Sequence, residues 1–255
     1  MPDQLKSGGK RGHDDQVAAR GVPGGVHTHS ADRPAHGDLD RLYQSRVSAA
    51  DAAAKDLIWA EICRYLQRFI MPNAPVLDVA ADRGHFIRNI QADERWATDV
   101  RDVSEHLGTA VRFVQVSGLE MSTALPNHHF GTVFMSNYLE HLTDSDAVVK
   151  QLVEARAVCR PGGRVVILQP NIRLVGGAYW DFLDHHTALT EKSLVEAADL
   201  AGFRQSHLIT RFLPFTTKSR LPSAPALVRW YLRCPPAWRL LGKQTLYIGE
   251  SRRDA

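Results

Sequence analysis

The stretch from Pro75 to Asp99, PVLDVAADRGHFIRNIQADERWATD, constrains the fold of this chain more than any other. Val76, Leu77 and Val79 form an apolar run short enough to be a buried strand. Ala80, Ala81, Asp82, Arg83 and Gly84 break that run, and a helix-like segment begins at His85. A second short run, Trp96 to Thr98, ends on Asp99. Strand, small-residue turn, helix and strand make one βαβ unit of an open α/β sheet. An acidic residue about twenty positions past the turn stands where the ribose hydroxyls of a nucleoside cofactor are held.

The turn excludes a dinucleotide. A pyrophosphate needs G-x-G-x-x-G so that backbone N–H groups and a helix N-terminus can close on it, and only Gly84 is present. The carboxylates of Asp78 and Asp82 would repel phosphates, but they suit a cofactor carrying an amine and a sulfonium. These residues resemble the first motif, D/E-x-G-x-G-x-G, of the class I S-adenosylmethionine (SAM)-dependent methyltransferases. Asp78, Ala80, Asp82 and Gly84 occupy its four fixed positions, so two of the three glycines are replaced. The resemblance implies a Rossmann-like, seven-stranded, mostly parallel sheet with an antiparallel last strand and helices on both faces. It also implies SAM as cofactor, with Asp99 on the ribose.

Composition agrees with one α/β domain. The chain has 255 residues, 44% of them hydrophobic, enough for a sizeable core. Cys63, Cys159 and Cys234 stand far apart without C-x-x-C spacing, so neither a disulfide framework nor a zinc site is expected, and a reducing cytoplasm is the expected home. No apolar run reaches the ~18 residues of a membrane span, and the N-terminus is polar rather than signal-like. The net charge of +3 is unevenly spread: from Phe203 onward there are 10 Lys+Arg against 2 Asp+Glu, and before it 21 against 26. The basic end points to an anionic surface or acceptor, or to solvated arginines on helix faces. With no RNA-binding module in view, nucleic acid is not the expected partner.

Residues 1–40 are polar, rich in Gly, Asp, His and Arg, and are expected to be a disordered tail whose scattered histidines hold no fixed metal. Residues 41–255 are expected to form the methyltransferase domain, with an insertion at 211–243. A leading helix between Leu42 and Ile70 carries Ile58, Ile62, Tyr65, Leu66 and Phe69 on one stripe. Arg46 and Trp59 could cover the cofactor cleft, with packing against the sheet favoured for Trp59. A short helix over Val103 to Leu107 and a strand over Val111 to Val116 follow. Relatives place an acidic adenine acceptor after that strand, where this chain has Ser117. LPNHHFGTVFMSNYLEHL, Leu125 to Leu142, resembles the family's LP-x-x-x-x-FD-x-V-x-x-x-x-x-LEHL block, with Gly131 in place of the aspartate. The strand Val133 to Met135 leaves Asn137 and Tyr138 at its carboxyl end, where open parallel sheets bind ligands. Glu140 and His141 resemble the last two residues of an E-x-x-E-H metal motif of some ubiquinone-pathway methyltransferases. Asn137 replaces its first glutamate, and no metal is expected.

Asp144 caps a helix through Ala157. Pro161, Gly162 and Gly163 form a tight turn before a strand over Val165 to Leu168. The segment from Ala178 to Phe203 resembles the D-H-x-T segment of small-molecule and glycan methyltransferases, with His185 on the family histidine and Thr190 as N-cap. His185 is the expected base or acceptor-orienting residue, with Asp181 or Asp184 holding its other nitrogen; a loop-fixing histidine is the alternative. The last strands are expected over Ser206 to Thr210 and Thr245 to Gly249. The insertion between them carries Leu227, Trp230, Tyr231 and Cys234 on one helical side and Arg229 with Arg233 on the other, suiting a lid or an anionic membrane surface. The cofactor residues expected are Asp78, Ala80, Asp82, Gly84, Asp99, Ser117, Asn137 and Tyr138. The expected activity is O-methylation of a sugar, lipid-linked glycan or small metabolite. N- or C-methylation of a small metabolite, or a non-catalytic scaffold on the same fold, are the alternatives.

Overall fold

The computed structural model describes residues 49–215 and 224–252. The expected disordered tail and Arg46 lie outside them. Seven strands form one sheet: β1 (Val76–Val79), β2 (Arg95–Asp99), β3 (Val111–Gln115), β4 (Phe130–Ser136), β5 (Cys159–Pro170), β6 (Phe203–Ile209) and β7 (Gln244–Ser251), in the order 3-2-1-4-5-7-6. β7 runs antiparallel to both β5 and β6, while β1 to β5 pair in parallel. The chain winds outward from β1 to β3 and returns to β4 beside β1. That reversal opens a crevice outside the carboxyl ends of β1 and β4.

Alternation along the strands builds two cores. Val76, Phe134, Val166, Leu168, Leu246 and Ile248 face one side, where they meet α1 (Ala49–Leu66) and α2 (His85–Asn89); Leu77, Val79, Val133, Met135, Val165, Ile167 and Tyr247 face the other. There they meet α4 (Ser145–Val158) and α6 (Glu191–Leu200), while α3 (Ser104–Leu107) and α5 (Ile172–Val175) are single turns. The predicted stripe of α1 is buried at Ile58, Ile62, Leu66 and Phe69, the last on a 3₁₀ turn. Trp59 packs edge-on against Phe134 of the sheet, with ring centroids 6.3 Å apart. Phe134 also stacks on Phe86 at 3.6 Å. The caps act as read: Asp144 accepts from the Ala147 N–H at 2.8 Å, and Thr190 and Ser193 form a reciprocal box, each cap contributing about 1 kcal/mol.

Two departures have local causes. β5 begins at Cys159, which pairs with Phe130; the predicted turn then loops out before pairing resumes between Thr132 and Arg164. Gly131 sits at this irregularity, and a Cβ there would lie 2.4 Å from the Ala74 Cβ, so close packing against Ala74 disfavours the family's aspartate.

The insertion carries α7 (Pro225–Leu232) and α8 (Pro235–Leu241). Its apolar side is split: Tyr231 and Leu232 are buried, whereas Leu227 and Trp230 are exposed. Arg229 is exposed but is not a free cation. It grips Glu61 of α1 through two bonds of 3.0 and 2.6 Å. Trp238 packs edge-on against Tyr65 at 5.7 Å, so the helix pair is docked on α1. Among the described residues no helix is long and apolar enough to cross a membrane.

Candidate active site

The turn after β1 keeps the backbone of a glycine loop without its glycines. Ala80, Asp82 and Gly84 all have left-handed φ, at 55°, 48° and 66°. Aspartate tolerates that region; for alanine it costs about 1–2 kcal/mol. A strained alanine held in place by its surroundings marks a conformation that the site needs. Gly84 also serves packing, since a Cβ there would lie 2.4 Å from Leu107 Cδ2.

Asp99, at the end of β2, is only 5% exposed, and its carboxylate is fully engaged. Oδ2 accepts from the Asp82 N–H at 3.0 Å, and Oδ1 accepts from the main-chain N–H of Arg101 at 3.0 Å. The Arg101 guanidinium adds Nε to Oδ1 at 3.2 Å and Nη2 to Oδ2 at 3.3 Å. The same Nη2 reaches Asp82 Oδ1 at 3.0 Å. Arg101 therefore bridges the residue that replaces the motif's second glycine and the residue at the ribose position. Burial alone would lower its pKa, but the hydrogen bonds and charges of Asp99 and then Asp82 outweigh burial and raise it. The guanidinium is a permanent cation. Nothing in the sequence reading singled out Arg101; its place two residues after the ribose acid was the signal.

Other predicted cofactor residues are partly committed elsewhere. Asp78 is buried beneath the loop, and burial pushes its carboxyl well up despite a hydrogen bond from the Ile87 backbone. It anchors the start of α2. Ser117 caps a 3₁₀ turn (Gly118–Thr123), its Oγ accepting from the Leu119 N–H at 3.3 Å. The Tyr138 hydroxyl donates to Gln151 Oε1 at 2.9 Å. Asn137, by contrast, is exposed at the end of β4 with φ 47°. A left-handed loop, an acid at the end of β2 and an exposed amide after β4 thus stand together at the carboxyl ends of neighbouring parallel strands, where open α/β sheets bind their ligands.

On the other side of β4, a 3₁₀ turn (Leu139–His141) is stitched to the loop before α6. The Glu140 carbonyl accepts from the N–H groups of His186 and Thr187 at 2.8 and 3.1 Å, and Thr187 Oγ1 donates to the Leu142 carbonyl at 2.7 Å. The Tyr179 hydroxyl donates to the Thr187 carbonyl at 2.5 Å. This fixes a polar cluster in place. Glu140 is buried, accepts from Gln169 Nε2 at 3.0 Å, and has its pKa raised by burial. His141 Nδ1 lies 2.8 Å from the Asp184 carbonyl and 3.4 Å from that residue's carboxylate. His185 is 9% exposed, stacks on Phe182 at 4.9 Å, and meets His141 edge-on at 5.1 Å. Asp181 is exposed. The structure thus sets Asp184 against His141, and it gathers Glu140, His141 and His185 with one donor atom each within 4.8 Å of the others. That trio has the donors of a divalent-cation site. It is also a hydrogen-bonded brace, because Gln169 and Asp184 already hold Glu140 and His141.

The comparisons agree with this architecture. A methyltransferase-domain family model matches residues 53–208. No curated protein matches the sequence. Among solved structures, a SAM-dependent methyltransferase from Archaeoglobus fulgidus superposes with a TM-score of 0.58 at 16% identity, covering 85% of this chain and 100% of its own. One from Mesorhizobium loti gives 0.55 at 14% identity, covering 75% and 97%. The [4+2]-cyclase SpnF gives 0.52 at 17% identity, covering 76% and 81%. These likenesses establish the fold, and the family model spans more than half of the chain, including both halves of the crevice. The chain belongs to the SAM-dependent methyltransferases of the class I, Rossmann-like fold.

Proposed function

We propose that this methyltransferase acts on a hydroxyl oxygen of a sugar, a lipid-linked glycan or a small metabolite. The observation that carries this reading is the His141–Asp184 contact at the end of β4. A hydroxyl must lose its proton as it accepts a methyl group, and an imidazole whose Nδ1 is held by a carbonyl and a carboxylate presents Nε2 for that task. His141 keeps 22% of its side chain accessible. His185, 9% exposed among Phe182, Tyr179 and Phe215, is suited to orienting the acceptor and fixing the loop. We therefore assign proton removal to His141, positioning to His185, and orientation of the imidazole to Asp184. Asp181, on the surface, has no part in this assignment. Trp180 and Leu183, 53% and 88% exposed on the same loop, offer an apolar rim that supports a lipid-linked acceptor.

When bound, SAM supplies an electrophilic methyl group on a sulfonium. Asp99 would take the ribose hydroxyls, the Ala80–Gly84 loop would pass its backbone close to the methionine half, and Asn137 would close the crevice at β4. The chain's own task is then in-line positioning and exclusion of water. The thiols of Cys63, Cys159 and Cys234 are all unpaired, which supports a reducing cytoplasm. The test is methyl transfer from labelled SAM into cell extracts, with the product identified by mass spectrometry. Label on an oxygen supports the proposal, and label on nitrogen or carbon, which needs no such base, overturns it.

A further inference from the structure

Asp99 has the position of a ribose acceptor, yet each of its oxygens already accepts from the chain. Two donors, the N–H groups of Asp82 and Arg101, belong to the backbone and leave lone pairs over. The other two belong to one guanidinium, whose Nε and Nη2 take both oxygens at once, side by side. A ribose diol presents its two hydroxyls to a carboxylate in the same side-by-side manner. Guanidinium and diol are therefore alternatives for one pair of acceptors. The same Nη2 also bonds Asp82 Oδ1, which ties the guanidinium to the loop that has to lie against the cofactor.

We propose that Arg101 is an internal competitor for the cofactor's ribose seat, and that nucleoside binding proceeds by exchange: the guanidinium leaves Asp99 as the diol arrives. The substitution of the motif's second glycine by Asp82 is part of the same device, because the aspartate is the second anchor of the clasp. The exchange conserves hydrogen bonds at Asp99 and returns the guanidinium to water. Affinity is therefore set by the difference between two ligands of one carboxylate. The proposal rests on the family reading only for the identity of the nucleoside.

Its test is calorimetric titration of S-adenosylhomocysteine into the full chain, wild type and Arg101→Met. This ligand has no net charge, so a gain reports competition at the ribose rather than a changed field, and methionine keeps the stem's packing while removing every donor. A charge-assisted pair of this kind corresponds to about tenfold or more in affinity, so Arg101→Met should bind at least tenfold more tightly. Asp82→Gly, which removes the second anchor and restores the left-handed glycine, should move affinity in the same direction by less. Unchanged or weaker binding by Arg101→Met, with binding by the wild type intact, overturns the proposal and leaves the family reading standing. No binding by any of the three proteins would remove the cofactor reading and the proposal together. Binding by the variant alone supports it most strongly.

Discussion

At the end of β2, Asp99 takes its partners from residues two and seventeen positions away, in or directly after the first βαβ unit. At the end of β4, His141 takes its partner from Asp184, forty-three positions on, across a loop held by Tyr179 and Thr187. The cofactor side is thus closed by its immediate neighbours, and its carboxylate is occupied before any ligand comes. The acceptor side is assembled from distant segments, and its imidazole keeps an accessible edge. The contrast separates two kinds of control. On the first side a ligand must displace something, so changes there act on affinity; on the second nothing need be displaced, so changes act on rate.

The sharpest way to break this division is at His141. Proton removal contributes about 10²–10⁴-fold, so His141→Ala should lower turnover by that order while cofactor affinity stays within a factor of two or so. A loss of affinity instead would merge the two sides. His185→Ala should mainly lower the melting temperature, since the ring fills an aromatic cage. Next in size is Asp99. Because the wild-type carboxylate serves both Arg101 and the ribose, Asp99→Ala is best read in the Arg101→Met background. There it should weaken binding about ten- to a hundredfold by calorimetry. In the wild-type background part of that loss is masked by loss of the clasp.

The motif stretch was legible because a βαβ unit writes its strand, turn and helix contiguously. Spacing set Asp99 at the end of β2, and the resemblance to the family motif set Asp78, Ala80, Asp82 and Gly84 along β1 and its turn. Arg101 escaped because an arginine after a strand reads as solvated surface until its two carboxylates are seen together. The pairing of Asp184 with His141 escaped for another reason: loop residues three apart, Asp181 and Asp184, are equivalent in a pattern, and only the stitching between Glu140 and Thr187 decides which turns inward. The insertion's helix was legible but its faces were not. Arg229 stays half exposed yet is committed to the chain, because the buried Glu61, 168 positions earlier on α1, takes its guanidinium.

That ion pair gives a smaller effect, remote from both sides of the crevice. Glu61 is held down to about 2, chiefly by the hydrogen bond from Arg229. A depressed carboxyl stabilises the fold above its ordinary value near 4.5, and the contribution is lost as the pH falls through that window toward 2. Acid titration of the melting temperature should show this loss in the wild type and a shallower profile in Glu61→Gln; parallel profiles would contradict it. The smallest effect concerns Ala80. Ala80→Gly relieves left-handed strain of about 1–2 kcal/mol and adds about 0.4–1 kcal/mol of unfolded-state entropy. The net change should be a slight stabilisation, with cofactor affinity unchanged. A clear loss of stability in thermal melts would mean that the methyl group packs usefully where the backbone alone was held responsible.

The central claim is that this crevice holds SAM through Asp99. The most direct measurement is titration of SAM into the Arg101→Met protein, with and without Asp99→Ala. The account predicts saturable binding of one SAM per chain in the first and a loss of about ten- to a hundredfold in the second. Equal binding with and without the Asp99 carboxylate, or no binding to either protein at millimolar SAM, would contradict it.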